Sequence, residues 1–159
     1  MSETDDVLIA LRRITRAIDL QSKKLAKSSG LTAPQLVILQ LLRKEGRLSP
    51  SAIARAVSLS QATVTTILDR TSKAGLTRRD RSEADKRVVL ASLTEEGQKA
   101  VAAAPELLQA GFLREFRRLK DWERGHLISA LQRIAEMMDA EELDASPILE
   151  TGEIAEAAG

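Results

Sequence analysis

The sequence predicts a mainly α-helical (α+β) chain in which one short two-stranded ribbon interrupts a series of helices. Apolar residues recur at spacings of three and four through most of the 159 residues, which is typical of amphipathic helices. The spacing changes only between Leu76 and Thr94, where short segments predict two strands joined by a loop. Apolar residues make up 43% of the chain and aromatic residues only 2%, so aliphatic side chains must fill the core.

The first predicted helix begins after residue 6 and ends near Ser29-Gly30. One side of it carries a heptad-like stripe formed by Val7, Leu11, Ile14, Ile18 and Leu25. A long helix of this kind needs a partner, supplied either by the same chain or by a second copy. Leu31–Lys44 follows as a core-facing helix that Thr32 caps at its N-terminus.

The central stretch from Ser49 to Thr94 has the signals of two short helices and a ribbon. Ser49 and Ser60 are good N-caps for the two helices, and Gly75 is placed to end the second. Arg78–Arg81 and Val88–Leu93 predict the strands, and Leu48 predicts a short extra strand against them. The order helix, sharp turn, helix and basic-tipped ribbon predicts a winged helix-turn-helix, which places its second helix in the DNA major groove.

The C-terminal part predicts one long helix from Thr94 to about Arg118, kinked at Pro105, and a last helix capped by Asp121. Together with the first helix, these elements predict long N- and C-terminal dimerisation helices. The residues expected at the dimer interface are Val7, Leu11, Ile14, Ile18, Phe112, Phe116, Trp122, Leu131, Ile134 and Met138. The Phe, Trp and Met side chains either pack in this core or line an effector pocket, and core packing is favoured.

The predicted organisation has four parts. Residues 1–30 form an N-terminal dimerisation helix, 31–94 the DNA-binding module, 95–145 the C-terminal dimerisation helices and 146–159 an acidic tail. Charge follows this division, because residues 139–159 hold seven acids and no base, which leaves the rest of the chain basic. Residues 70–87 alone hold seven basic and three acidic residues. A charged helix and hairpin favour a nucleic-acid partner over an ordinary solvated surface.

Composition excludes several function classes. The chain has no cysteine, so a thiol redox sensor and a disulfide framework are excluded, and a zinc site is disfavoured. Its one histidine, His126, is expected to face solvent. No catalytic motif stands out, so we expect no enzymatic activity, no cofactor and no metal. No apolar run predicts a signal segment or a membrane span, and a cytoplasmic protein is expected.

The ordered motifs of the chain resemble the MarR family of bacterial transcription regulators. The resemblance is carried by Gly30-Leu31-Thr32 with Gln35, Leu48-Ser49-Pro50, Ser60-Gln61-Ala62-Thr63-Val64-Thr65, Gly75-Leu76 with Arg78-Arg79, Asp85-Lys86-Arg87 and Leu93-Thr94-Glu95-Glu96-Gly97. It runs from about Val7 to Asp139. It implies a homodimeric repressor that binds double-stranded, pseudo-palindromic operator DNA, with a small-molecule or ionic effector. The C-terminal half also resembles regulators found with ectoine or compatible-solute operons.

The expected DNA contacts lie on the second helix and the wing. Gln61, Ala62, Thr65 and Thr66 are candidates for bases, whereas the cations are candidates for phosphates. Lys86 is expected in the minor groove, with Asp85 and Arg87 paired to shape the loop. The complete predicted set is Ser49, Ser51, Ser60, Gln61, Ala62, Thr63, Thr65, Thr66, Arg70, Lys73, Arg78, Arg79, Arg81, Asp85, Lys86 and Arg87. The alternative function is a winged-helix module that binds an acidic protein instead of specific DNA.

Overall fold

The computed structural model describes residues 1–140, and within them it contains seven helices and one two-stranded sheet. In chain order the elements are α1 (Glu3–Ser29), α2 (Ala33–Glu45), α3 (Pro50–Val57), α4 (Gln61–Lys73), β1 (Thr77–Arg81), β2 (Val89–Leu93), α5 (Glu95–Ala103), α6 (Leu108–Arg118) and α7 (Asp121–Met137). The mainly α winged-helix fold is therefore confirmed. The predicted acidic tail, 146–159, lies outside the described residues.

The predicted N-caps of the central helices are confirmed. Thr32, Ser49, Ser60 and Thr94 all have extended backbones, and each side-chain oxygen accepts a hydrogen bond from the N–H three residues later. At Thr32 the bond is reciprocal, because Gln35 Oε1 accepts from the Thr32 N–H at 3.1 Å. Each cap satisfies a backbone donor that the helix leaves free, and it fixes where the helix begins.

The core of the winged-helix part is aliphatic. Ile38 and Leu42 of α2, Ile53 of α3, and Val64 and Leu68 of α4 are almost completely buried in one cluster. This cluster fixes one side of α4 against α2 and α3, so the opposite side of α4 faces outward.

The wing is an antiparallel pair that runs from Thr77 opposite Leu93 to Arg81 opposite Val89. The predicted extra strand is confirmed as a single bridge between Leu48 and Ala91. The Leu48 N–H donates to the Ala91 carbonyl at 3.1 Å, and the Ala91 N–H donates back at 2.8 Å. Because Ala91 is fully buried, this bridge anchors the base of the wing to the helix-turn-helix.

The chain divides into two compact units, of which the first spans residues 1–105. Its last helix, α5, packs on α2 and β2, so the compact part extends beyond the predicted boundary at residue 94. The second unit begins at Glu106 and contains α6 and α7. Within residues 1–140, no helix has both the length and the apolar character needed to cross a membrane.

Two predicted helix boundaries in the C-terminal part are wrong. The expected long helix from Thr94 to Arg118 is divided, because Ala104 adopts an extended conformation (ψ 143°) before Pro105. A residue preceding proline disfavours helical angles, so Pro105 ends α5 instead of kinking it. Asp121 does not cap the last helix. Lys120 occupies the cap position, and its N–H donates to Glu123 Oε2 at 2.8 Å.

Candidate nucleic-acid interface

Helix α4 has one buried and one exposed side. Val64, Ile67, Leu68 and Thr71 are buried. The exposed residues of the helix are Gln61, Ala62, Thr65, Thr66, Arg70 and Lys73. Every one of these exposed residues belongs to the set predicted to contact DNA, and the short side chains of Ala62, Thr65 and Thr66 allow a close approach to base edges.

Hydroxyl groups order the beginning of α4. Ser60 Oγ accepts from the Thr63 N–H at 3.1 Å and lies 2.7 Å from Thr63 Oγ1. A similar arrangement begins α3, where Ser49 Oγ accepts from the Ala52 N–H at 3.2 Å and lies 3.2 Å from Ser51 Oγ. These predicted contact residues therefore position the two helix N-termini, where backbone N–H groups favour phosphate.

The end of α4 is fixed by contacts that the sequence reasoning missed. Thr71 and Thr77 are buried, and their hydroxyl oxygens lie 2.9 Å apart, which joins the last turn of α4 to the first residue of β1. Thr94 Oγ1 donates to the Gly75 carbonyl at 2.6 Å, and the Thr94 N–H donates to the Leu76 carbonyl at 3.0 Å. The N-cap of α5 thus also holds the turn after α4.

Gly97 is the tightest point of this arrangement. It is buried in the first turn of α5, and a Cβ built on it would lie 2.0 Å from the Leu76 carbonyl oxygen. Only glycine lets α5 approach the turn this closely. The sequence signal was an otherwise isolated glycine three residues after a threonine cap.

The strand β1 carries arginines with intramolecular partners. Arg79 Nη2 lies 2.6 Å from Asp69 Oδ1 on α4, and Arg78 Nε lies 3.3 Å from Asp80 Oδ2. The Asp69–Arg79 ion pair ties the wing to α4, and it neutralises an acid that would otherwise repel phosphate. Both arginines were predicted to hold the DNA backbone, and their geometry gives them a positioning role as well.

The predicted pairing of Asp85 with the Arg87 side chain is wrong, because the contact uses the backbone. Asp85 Oδ1 accepts from the Arg87 N–H at 3.0 Å, and the Val88 N–H donates to the Asp85 carbonyl at 2.9 Å. Arg81 Nη1 donates to the Lys86 carbonyl at 3.1 Å across the loop. An aspartate side chain that accepts a hydrogen bond from the backbone N–H two residues later stabilises a turn. Asp85 therefore shapes the tip of the wing without needing the Arg87 guanidinium.

Four exposed cations remain available around α4 and the wing tip. No carboxylate of residues 1–140 forms an ion pair with Arg70, Lys73, Lys86 or Arg87. Lys86 and Arg87 lie at the tip of the wing, whereas Arg70 and Lys73 lie in the last turns of α4. This distribution suits a polyanion that runs past both elements.

The residues predicted for dimerisation divide by exposure. Val7, Ile14, Phe112, Trp122, Leu131 and Met138 are exposed, whereas Leu11, Ile18, Phe116 and Ile134 are half-buried. Trp122 is 69% exposed, and α7 has no buried residue. In the second unit the Phe112 and Phe116 rings stack with centroids 5.6 Å apart.

Among residues 1–140, no group of three His, Cys, Asp or Glu side chains is arranged to hold a metal ion.

A comparison with known protein families agrees with the winged-helix geometry of this segment. Residues 31–89, which include α4 and the wing tip, match the sequence model of the MarR family. This winged-helix segment belongs to the MarR family. The match ends at the start of β2, so the family assignment covers the helix-turn-helix and the wing loop directly.

Individual MarR-type relatives extend the comparison. YfiV of Bacillus subtilis, an HTH-type transcriptional regulator, is 35% identical over 72% of this chain, which spans 60% of YfiV. The B. subtilis repressor MdtR is 28% identical over 82% of this chain and 86% of its own. BpsR of Bordetella bronchiseptica, whose DNA binding is regulated by 6-hydroxynicotinic acid, has 26% identity and a TM-score of 0.57, covering 85% of this chain and 96% of BpsR. These MarR relatives are regulators, which supports the expectation that the chain is not an enzyme.

Proposed function

We propose that this chain is a DNA-binding transcriptional repressor that binds an inverted-repeat operator as a homodimer. The observation that carries the proposal is the exposed polar side of α4 together with four exposed cations that pair with no described carboxylate: Arg70, Lys73, Lys86 and Arg87. Small polar side chains suit the major groove, and Lys86 at the wing tip suits the negative potential of a narrow minor groove.

The dimer part of the proposal rests on exposed apolar side chains. Val7 is 49% and Ile14 is 52% exposed on α1, and the second unit exposes Phe112, Trp122 and Leu131. Exposed residues of this size on several helices indicate a protein interface. We assign residues 1–30 and 95–145 to dimerisation and 31–94 to DNA binding. A two-fold dimer would set half-site centres about 10 base pairs apart.

An effector and a set of target genes complete the proposal. The regulation of BpsR by 6-hydroxynicotinic acid supports a small-molecule effector for the present chain. An ionic effector is the second candidate. The C-terminal half resembles regulators of ectoine or compatible-solute operons. On this resemblance we propose genes of solute metabolism as the targets. Footprinting on the DNA upstream of the chain's own gene would test both the inverted repeat and its spacing.

A salt series with one wing variant tests the proposed function. We expect wild-type affinity for upstream DNA to fall as salt rises, and Lys86→Ala to reduce the slope of log K against log salt by about 1.8. This value follows from the loss of one cationic contact with DNA in each of two subunits, at about 0.9 per contact. Fluorescence anisotropy with a labelled duplex measures the slope.

Lys99→Ala is the matched control for Lys86→Ala. Lys99 lies near Glu95 and Glu96 on α5, so its loss should leave the slope unchanged. A wild-type protein that binds an acidic protein partner but shows no preference for any DNA sequence would support the interaction-module alternative. An unchanged slope in Lys86→Ala would contradict the role of the wing.

Asp85 gives a second prediction, because its carboxylate both orders the loop and carries a negative charge. Asp85→Asn keeps the oxygen that accepts from the Arg87 N–H and removes the charge, so we expect affinity equal to or above that of wild type. Asp85→Ala loses the acceptor as well, and we expect binding about five-fold weaker than for Asp85→Asn, which is the loss of about 1 kcal/mol for one hydrogen bond.

The two Asp85 variants are compared by anisotropy at several salt concentrations. The charge change is the same in both, so any difference between them reports the hydrogen bond alone. Equal affinities, with equal melting temperatures, would show that Asp85 does not order the wing. Glu83→Ala, which removes an exposed acid from the same loop, should bind like Asp85→Asn.

A further inference from the structure

The two threonines in the middle of α4 have no hydroxyl hydrogen left for DNA. Thr65 Oγ1 donates to the Gln61 carbonyl at 2.9 Å, and Thr66 Oγ1 donates to the Ala62 carbonyl at 3.1 Å. A hydroxyl has a single hydrogen, so each of these bonds uses it. Each side chain then offers an approaching base a methyl group and an oxygen lone pair.

Three methyl groups lie close together on this face. Ala62, Thr65 and Thr66 are spaced i, i+3 and i+4, so their side chains are neighbours on the helix surface. All three are exposed, and all three lie on the side of α4 opposite its buried Val64 and Leu68. We call these three residues the methyl patch. It gives the centre of a polar helix face an apolar surface.

We infer that the methyl patch reads the 5-methyl groups of thymines in the major groove. Thymine is the only base that presents a methyl group there, and alanine or threonine methyl groups are suitable apolar partners for it. Gln61, exposed one turn before Thr65, adds an amide whose bidentate partner is adenine. The inference rests on the proposed function and specifies it, since A·T pairs should occupy the middle of each half-site.

The competing contact is the oxygen lone pair. A threonine oxygen can accept from an amino group of adenine or cytosine, and such a contact would need the oxygen but not the methyl. The two contacts predict opposite effects for two substitutions. Thr65→Val keeps the methyl group and replaces the hydroxyl with a second methyl, whereas Thr65→Ser keeps the hydroxyl oxygen and removes the methyl.

The experiment begins with operator duplexes selected from a random library by the wild-type protein. Each thymine of the half-sites is then replaced, one at a time, by deoxyuridine, which differs only in lacking the methyl group. We expect at least one thymine in each half-site whose replacement weakens binding about four-fold, the value for one buried methyl group. Deoxyuridine in the flanking DNA is the matched control and should have no effect.

The protein variants then assign the contact. Thr65→Val should bind the thymine operator like wild type and keep the discrimination against deoxyuridine. Thr65→Ser should bind more weakly and lose the discrimination at the position that Thr65 contacts, and Thr66 is tested in the same way. Melting temperatures of both variants establish that the fold is intact.

Two results would overturn the inference while leaving the proposed function standing. One is sequence-specific binding with no discrimination between thymine and deoxyuridine at any position. The other is a Thr65→Val protein that loses specific binding while Thr65→Ser keeps it, which would assign the contact to the oxygen. Failure of the selection to enrich any sequence would instead contradict the proposed function itself.

Discussion

Gly97→Ala should lower the free energy of unfolding by about 3 kcal/mol, at the upper end of the cost of overpacking. The new Cβ would lie 2.0 Å from the backbone oxygen of Leu76 and 3.1 Å from a side-chain carbon of Leu93. A backbone oxygen cannot move without displacing its turn, and this turn connects α4 to β1. Gly97 has a helical backbone that any residue adopts, so the cost is entirely steric.

The effect of Gly97→Ala is measured by urea denaturation followed by circular dichroism. Gln98→Ala is the matched control, because Gln98 is the exposed neighbour in the same helix and its change should stay within about 0.5 kcal/mol. Since the displaced turn follows α4, the variant should also bind operator DNA more weakly at temperatures where it remains folded. Unfolding free energies within about 0.5 kcal/mol of each other for Gly97→Ala and wild type would contradict the close packing of α5 on the turn.

The winged-helix part was predictable because its signals are local. Each helix of this part begins after a serine or threonine whose side-chain oxygen accepts from the backbone N–H three residues later. These N-caps are Thr32, Ser49, Ser60 and Thr94. The outward face of α4 follows from the spacing of its buried apolar residues. Such signals depend on a few neighbouring residues, so tertiary structure does not override them.

The predictions that failed depend on choices between similar local contacts. A carboxylate two residues before an arginine can accept from the arginine side chain or from its backbone N–H, and the sequence does not decide between these two contacts for Asp85 and Arg87. Ala104 precedes Pro105, which permits either a kinked helix or a break. Gly97 needed a tertiary contact to be understood, because the oxygen that excludes a side chain there belongs to Leu76, 21 positions earlier in the chain.

The largest expected effect on assembly is that of Ile14→Glu. Ile14 is 52% exposed on α1, and with Val7 it forms an apolar surface that the described part of a single chain leaves largely uncovered. A second copy that covers this surface would also cover the new carboxylate and remove it from water. An unpaired buried charge is strongly unfavourable, so we expect the dimer dissociation constant to rise about 100-fold, or ~3 kcal/mol.

Sedimentation equilibrium over a range of concentrations measures the dissociation constant, and anisotropy measures operator binding on the same samples. Arg12→Glu is the control, because it places the same carboxylate nearly on the opposite side of α1 and should leave the dimer intact. Ile14→Glu should also lose the advantage of a two-half-site duplex over a single half-site, because each monomer carries only one copy of α4. A wild-type protein that is a folded monomer at micromolar concentration would show that α1 is covered in some other way.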